Sequence, residues 1–291
     1  MCDVISQSNG KTREKKRIIV DGNARLSFVV DADGLTQLGD LYQRDPQRIL
    51  FPNAPKGDII QAVVVTTSGG LVGGDKISVT IKVGENAKAL VTAQAAEKIY
   101  RSTGADVEIN VSLIAESGSW FEFLPQETIL FDRSRLRRKI EINVAKGGKL
   151  LAGEMMVFGR LGHGEHFQTG LVHDSWEVSR EDRLVWADSL HLESNIATIL
   201  DDPACFNGAV AMATAVYVGP DVKENLFVAR EIFKSQESSV LSGASIVNGI
   251  LLLRWLGKDA LALRDDFGFF WGAFRNKVAS LPTELPRLWN M

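Results

Sequence analysis

Short segments that alternate apolar and polar residues recur along most of this chain. Residues 77–83 alternate isoleucine and valine with polar side chains, and residues 107–113 repeat the pattern. Such alternation is typical of a strand with one buried face. Glycine-rich segments separate the strands, with no helical period between them. The sequence therefore predicts an all-β body over residues 17–205 and argues against a doubly wound parallel sheet.

The last third of the chain, residues 206–291, has a different pattern. After an apolar segment, "VKENLFVAREIFKSQ" has apolar residues near helical spacing. Asn248-Gly249 lies between two apolar arms, which is typical of a hairpin turn. The segment "DALALRDDFGFFWGAFRNKVAS" then has a wide apolar stripe, which we expect to face the core. We predict strand, helix, hairpin and helix within one domain, residues 17–291, preceded by a disordered polar tail, residues 1–16.

Composition narrows the class of protein. The net charge is −3 and the pI is near 5.9, so the protein has no overall positive charge that would favour binding of nucleic acid. No run of eighteen apolar residues is present, which argues against a membrane span. A polar N-terminus and only two cysteines indicate a reducing compartment, so we expect a cytoplasmic protein. Two local basic segments, Lys11–Arg17 and Arg133–Lys139, are interpreted as solvated surfaces, with a docking patch for an acidic partner as the alternative.

A glycine-rich segment, "TTSGGLVGGDKISV", raises the question of a phosphate-binding loop. Such a loop requires a lysine where Asp75 stands, followed by a helix. A carboxylate at that position repels phosphate, and the pattern of residues 77–83 predicts a strand instead of a helix. We therefore predict that the glycines permit a tight corner between strands.

Candidate catalytic and metal-binding groups are few. Three of the four histidines lie in "GRLGHGEHFQTGLVH", where imidazole and carboxylate groups suit nickel or zinc. A metal contact at His163 and His166, as in a plain metal-binding protein, and an exposed polar loop both remain open. Glu122 and Glu127 are candidates for the carboxylate pair of a β-helical carbohydrate-active enzyme; the alternative is a pair of solvated strand ends. The low aromatic content weighs against that enzyme.

Four segments resemble, in the same order, motifs of the urease accessory protein UreD family, also called UreH. They are "GGLVGGD" at 69–75, "TAQAAEKIYRS" at 92–102, "LPQETILFDRSRL" at 124–136 and "GRLGHGEHF" at 159–167. Together they are specific and span more than half of the chain, whereas the last third resembles the family only in general layout. The two histidines around Glu165 are not part of the family pattern. The matching motif residues are Gly70, Gly73, Gly74, Tyr100, Arg101 and Gln126.

The resemblance implies a mainly β fold, a β-helix-like stack of short strands with two α-helices in the C-terminal third. It also implies a urease maturation factor that is not an enzyme. Such a scaffold or chaperone binds apo-urease structural subunits and a UreF-type protein, whose region of contact includes the C-terminal part of the chain. Through UreF it reaches a nickel-carrying GTPase of the UreG type.

The resemblance further implies an internal channel that conducts nickel to the urease active site, with nickel in transit and no tightly bound cofactor. A cation in such a channel needs oxygen or imidazole ligands that hold it weakly. The candidates within the matching motifs are Asp75, Glu127, Asp132 and Glu165. Each of these carboxylates is equally suited to a turn or a capping role.

Overall fold

The computed structural model describes residues 20–290, so the predicted tail, residues 1–16, lies outside the described residues. Strands dominate the described chain. They are β1 (Asp21–Val30), β2 (Thr36–Arg44), β3 (Gln47–Leu50), β4 (Ile60–Thr66), β5 (Lys76–Val83), β6 (Lys88–Ala93), β7 (Glu97–Ile99), β8 (Val107–Ala115), β9 (Trp120–Leu124), β10 (Thr128–Leu130), β11 (Arg135–Val144), β12 (Lys149–Phe158), β13 (Leu171–Arg180), β14 (Arg183–Glu193), β15 (Ala211–Val218), β16 (Leu241–Val247) and β17 (Ile250–Gly257). The helices are α1 (Ile196–Asp201), α2 (Val222–Ser235) and α3 (Ala260–Ala279), with short 3-10 turns at Leu161–His163 and Arg287–Asn290.

The chain winds between two sheets, coil after coil. In the first sheet, β1, β5, β8, β11 and β13 are parallel, and β2 and β14 run antiparallel at its two edges. In the second sheet, β4, β6, β9 and β12 are parallel. Lys88 of β6 lies beside Trp120 of β9, which lies beside Lys149 of β12, so equivalent positions of successive coils stack. This confirms the predicted β-helix-like fold.

Two hydrophobic clusters hold these layers together. The first fills the space between the two sheets, and residues 77–83 contribute Ile77, Val79, Ile81 and Val83 to it as their alternation predicts. The second lies between the outer face of the second sheet and helices α2 and α3. Helix α3 buries Phe267, Phe270, Trp271 and Phe274, among others, so the prediction that its stripe faces the core is confirmed. Among the helices of residues 20–290, none is both long and apolar enough to cross a membrane.

The C-terminal elements complete the second sheet. Strand β15 pairs antiparallel with β12, and β17 and β16 extend the sheet beyond it. Val247 and Ile250 pair around the Asn248-Gly249 turn, and both turn residues have positive φ. Such a turn matches the twist of its strands, and the predicted hairpin is confirmed. Helix α1 is an element that the sequence pattern did not predict, and the assignment of residues 17–291 to one domain stays a prediction.

The glycines of the segment 69–74 form the predicted corner, and strand β5 follows it. A Cβ atom on Gly73 would lie 2.2 Å from the carbonyl oxygen of Ala105 and 2.3 Å from Oγ of Ser102. At Gly70, φ is +149° and a Cβ atom would lie 2.7 Å from the carbonyl oxygen of Lys98. These positions need glycine because neighbouring backbone approaches too closely for a side chain.

We expect Gly73→Ala to lower the free energy of unfolding by about 1–3 kcal/mol, because the added methyl group displaces packed backbone. Gly162→Ala is the matched control, since a Cβ atom at Gly162 meets nothing within 4 Å. Urea denaturation of both variants measures the difference. Equal stability of the two variants would contradict the close packing at Gly73.

Candidate functional site

A cavity of about 230 Å³ lies between the two sheets. Its walls are mainly apolar and come from Ile77, Val79, Ile109, Val111, Phe123 and Ile140. Gly69, Gln94 and Lys98, which also line it, are exposed and mark the end that reaches the surface. Arg138 and Glu154, both buried, mark the inner end. A concave apolar site with a few polar groups is typical of a ligand-binding site.

The inner end of this cavity is an inter-sheet charge cluster of Arg138, Glu154 and Asp174. Nε of Arg138 lies 2.6 Å from Oδ1 of Asp174 within the first sheet, and its guanidinium also pairs with Glu154 of the second sheet. The indole N–H of Trp176 donates to both carboxylates at 3.2 Å, and Nη1 of Arg138 donates to Thr128 at 3.0 Å. One buried cation therefore faces two buried carboxylates.

The two carboxylates of the cluster have different acidities. Burial raises the pKa of Glu154 well above its usual range, and the positive charge of Arg138 offsets only part of that effect. Burial acts in the same direction on Asp174, but the charge and hydrogen bond of Arg138 outweigh it and lower the pKa. Asp174 is thus the firmly ionised partner of Arg138.

A second cavity, of about 380 Å³, lies on the other side of the cluster. Asp174 and Trp176 line its inner end, and Cys205 and Arg254, both exposed, line its outer part. Because Arg138 and Glu154 line the first cavity and Asp174 lines the second, the charge cluster is the wall between them. We refer to the two cavities and the charge cluster between them as the inter-sheet passage.

The outer part of the first cavity carries another carboxylate, Glu97 of β7. Its Oε2 accepts a hydrogen bond from the hydroxyl of Thr66 at 2.8 Å. Burial raises the pKa of Glu97, and the hydrogen bond from Thr66 offsets part of this. The hydroxyls of Ser68 and Thr92 also line the cavity and have no hydrogen-bond partner among residues 20–290. The passage therefore offers oxygen ligands at its entrance as well as at its wall.

The four carboxylates predicted for a nickel path lie elsewhere, in turns and ion pairs. Asp75 is buried, and its carboxylate accepts the backbone N–H groups of Val72 at 2.9 Å and Val20 at 3.1 Å. Glu127 forms an ion pair with Arg264 of helix α3. Both carboxylates thus have structural partners in place.

Asp132 and Glu165 are brought together by the structure. Oε1 of Glu165 accepts the backbone N–H of Asp132 at 3.0 Å, and Asp132 accepts the backbone N–H groups of Gln168 and Thr169. Nε of Arg160 lies 3.5 Å from Glu165. Within the described chain, none of the four predicted carboxylates lines either cavity. Their role in a nickel path stays a prediction.

The other residues of the matching motifs are more widely spread. Gly70 and Gln126 line the first cavity. The hydroxyl of Tyr100 donates to the carbonyl oxygen of Gly69 at 2.7 Å and so braces the glycine corner. Arg101 is exposed. Gly70 and Gln126 thus contribute to the first cavity, whereas Arg138, Glu154 and Asp174 of the charge cluster are not among the matching motif residues.

The candidate histidines lie on the surface. His163 ends a 3-10 turn, and both His163 and His166 are exposed. In the part of the chain that the structure describes, no group of three or more histidine, cysteine, aspartate or glutamate side chains is arranged to hold a metal ion. A metal contact at His163 and His166 therefore stays a prediction.

The interpretation of Glu122 as a solvated strand end is wrong. Glu122 is fully buried, and its carboxylate accepts the indole N–H groups of Trp120 and Trp271 at 2.7 Å and Nε of Arg275 at 3.0 Å. Glu122 lies beneath helix α3 and pairs with Arg275, whereas Glu127 pairs with Arg264. The two glutamates do not form an open carboxylate pair.

The interpretation of the basic segment 133–139 as a solvated surface is wrong for Arg138, which is buried. Its position in β11 matches that of Leu136 and Ile140, whose side chains also point into the core. The sequence did contain a signal for the inter-sheet cluster. In β11, a charged residue stands at a position where the alternation of the strand predicts an apolar one. Asp174 shows the same signal in β13.

Comparison with known proteins identifies the family. Residues 20–290 match the family model described as UreD urease accessory protein. The chain belongs to the UreD family. A urease accessory protein UreD of Magnetococcus marinus is 44% identical over 275 residues, which cover 94% of each chain. That of Xanthobacter autotrophicus is 40% identical over 256 residues, covering 88% of this chain and 85% of its own.

A third relative, the urease accessory protein UreD of Azorhizobium caulinodans, is 36% identical over 268 residues and is covered to 95% of its length. UreD proteins are accessory proteins of urease, so this chain has a role in urease maturation and is not itself an enzyme. The carbohydrate-active alternative is thereby set aside.

Proposed function

We propose that this UreD-family protein is a cytoplasmic scaffold that conducts nickel to apo-urease through the inter-sheet passage. The observation that carries the proposal is the pair of cavities that meet at the cluster of Arg138, Glu154 and Asp174. Nickel is the cargo in this mechanism and not a resident cofactor.

The chemistry of the passage suits a cation in transit. A divalent ion that leaves water needs oxygen ligands along its path, yet tight binding would stop it. Glu97 near the entrance and Glu154 at the wall are separate carboxylates with apolar walls between them. One carboxylate alone supplies too few ligands to bind the ion tightly. Two carboxylates in sequence allow the ion to lose its bound water in steps.

The wall of the passage must open for an ion to cross it. Arg138 pairs with both Glu154 and Asp174 where the two cavities meet. A nickel ion that reaches this point competes with the guanidinium for the two carboxylates, so Arg138 must turn into the first cavity, which it lines, for the ion to cross. In this mechanism Arg138 closes the passage when no cargo is present.

The proposed partners are the apo-urease structural subunits, a UreF-type protein and, through UreF, a GTPase of the UreG type. Helices α2 and α3 expose Phe227, Leu261 and Phe269 to 70%, 66% and 50%. Large exposed apolar side chains often mark a protein contact. We assign this helical surface to the UreF-type partner, in keeping with the C-terminal contact that the resemblance to the family implies.

Expression of a complete urease operon with and without this gene tests the role. We expect that omission leaves urease protein present but poor in nickel and inactive, and that restoring the gene restores both. Urease activity and nickel content per urease are the measurements. Unchanged nickel content without the gene would refute the proposed function.

A further inference from the structure

Two histidines face each other on the outer face of the first sheet, away from the inter-sheet passage. His173 of β13 and His191 of β14 are directly opposite residues of an antiparallel pair. Their neighbours Val172 and Leu192 point into the core, so the two imidazoles point outwards. His191 is exposed and His173 is partly exposed. Solvent ions can therefore reach the pair.

The two rings are spaced like ligands of a single metal ion. The Nδ1 atoms are 3.3 Å apart and share a hydrogen bond, whose proton a bound ion would replace, and the ring centroids are 5.5 Å apart. Around a tetrahedral zinc ion with bonds of about 2.05 Å, two nitrogens are separated by about 3.3 Å and their ring centroids by about 5.2 Å. The backbone pairing of β13 and β14 thus places the two imidazoles side by side before any ion arrives.

Glu193 lies two residues after His191 on the same face of the strand. It is near Nε2 of His191, on the side of the ring opposite to His173. Its Oε2 is 3.7 Å from Nε2 of His191. A carboxylate near Nε2 favours the tautomer that carries its proton there, which leaves the lone pair of Nδ1 free. At 3.7 Å the two atoms are not hydrogen-bonded. Metal-binding histidines commonly donate their other ring N–H to a carboxylate, and a small movement of Glu193 would give His191 such a partner.

The charges around the histidine pair are balanced. Arg137 lies beside His173 on β11, and its Nε is 2.5 Å from Oδ2 of Asp106. Arg135 pairs with the other oxygen of Asp106 and lies 3.6 Å from Glu193. Because both arginines have carboxylate partners, little uncompensated positive charge opposes a cation at the pair.

We propose that His173 and His191 chelate a borderline divalent cation, such as Zn²⁺, through their Nδ1 atoms. Glu193 orients His191, and water completes the coordination sphere. Imidazole nitrogen is a preferred ligand of zinc, copper and nickel. The site is separate from the proposed nickel path, because it uses nitrogen ligands on the outer face and not carboxylates between the sheets.

Titration of the full-length protein with Zn²⁺ tests this site, with histidine ring nitrogens followed by NMR and affinity measured by competition with a zinc indicator. We expect one ion per chain and shifts of the Nδ1 resonances of His173 and His191. His173→Gln and His191→Gln should each abolish this binding. Glu193→Gln should weaken it about tenfold, the lower end for loss of such an orienting carboxylate.

The double variant His163→Gln/His166→Gln is the matched control, because these histidines are exposed and lie in a different segment. It should bind Zn²⁺ like the unchanged protein. Unshifted Nδ1 resonances of His173 and His191 at saturating Zn²⁺, or retained binding by their variants, would refute the site. Loss of binding in the control variant would also refute it. An ion held by the carboxylates of the passage moves none of these resonances, so the two proposals fail independently.

Discussion

Arg275→Met is expected to lower the free energy of unfolding by about 3–5 kcal/mol, the cost of leaving a buried charge without its partner. The side chains of Arg275, Glu122 and Asp58 are all fully buried. Nη2 of Arg275 lies 2.5 Å from Asp58, and its Nε lies 3.0 Å from Glu122. The variant therefore leaves two buried carboxylates beneath helix α3 without their positively charged partner. Urea denaturation measures the loss.

The exposed ion pair of Arg254 with Asp188 provides the control, because both side chains are at least 40% exposed. Arg254→Met should change the free energy of unfolding by less than about 1 kcal/mol. A double variant, Arg275→Met with Glu122→Gln, should recover part of the loss because it removes one stranded charge. Similar stability of Arg275→Met and Arg254→Met would contradict the importance of the buried network.

Glu154→Gln is expected to reduce the nickel content of urease about tenfold when the complete operon is expressed with this variant. A neutral amide in place of the carboxylate removes an attraction for the cation at the wall of the passage. Loss of about 1.4 kcal/mol from one such interaction corresponds to a factor of ten. Asp174 still compensates Arg138 in this variant, so the fold should be retained.

Glu177→Gln is the matched control for this experiment. Glu177 lies on the outer face of the first sheet, where it pairs with Lys139 and is 44% exposed. It should load nickel like the unchanged protein, and a circular dichroism spectrum should verify the fold of both variants. Equal nickel contents for Glu154→Gln and Glu177→Gln would show that the ion does not pass by Glu154.

The local sequence pattern predicted the strands well, because the burial of alternate side chains and the φ angles of a turn depend on residues that are close in sequence. Alternation in residues 77–83 follows from one buried face of β5, and the Asn248-Gly249 turn follows from the positive φ that both residues tolerate. The resemblance to UreD proteins, and not the alternation, supplied the stacking of the strands into coils. Alternation alone does not say which strand lies beside which.

The buried charges were missed for a different reason. Arg138, Glu122 and Asp174 occupy positions that point into the protein, so their burial was readable from their strands. Their partners were not, because Arg275 lies 153 residues from Glu122, and Glu154 lies in the other sheet from Arg138. The passage itself depends on how two sheets face each other, which is a property of the tertiary structure and not of any motif.

Because the coils follow one another along the chain, they can form in order during synthesis, from the N-terminal coil onwards. Each parallel strand pairs with its counterpart in the preceding coil, so a growing chain carries the template for its next coil. Until β14 turns back along β13 and β15–β17 extend the second sheet, the newest coil ends in open strand edges. Such edges promote aggregation. Synthesis that stops before β14 therefore yields fragments with open strand edges, and the strands from β14 to β17 are needed to complete both sheets.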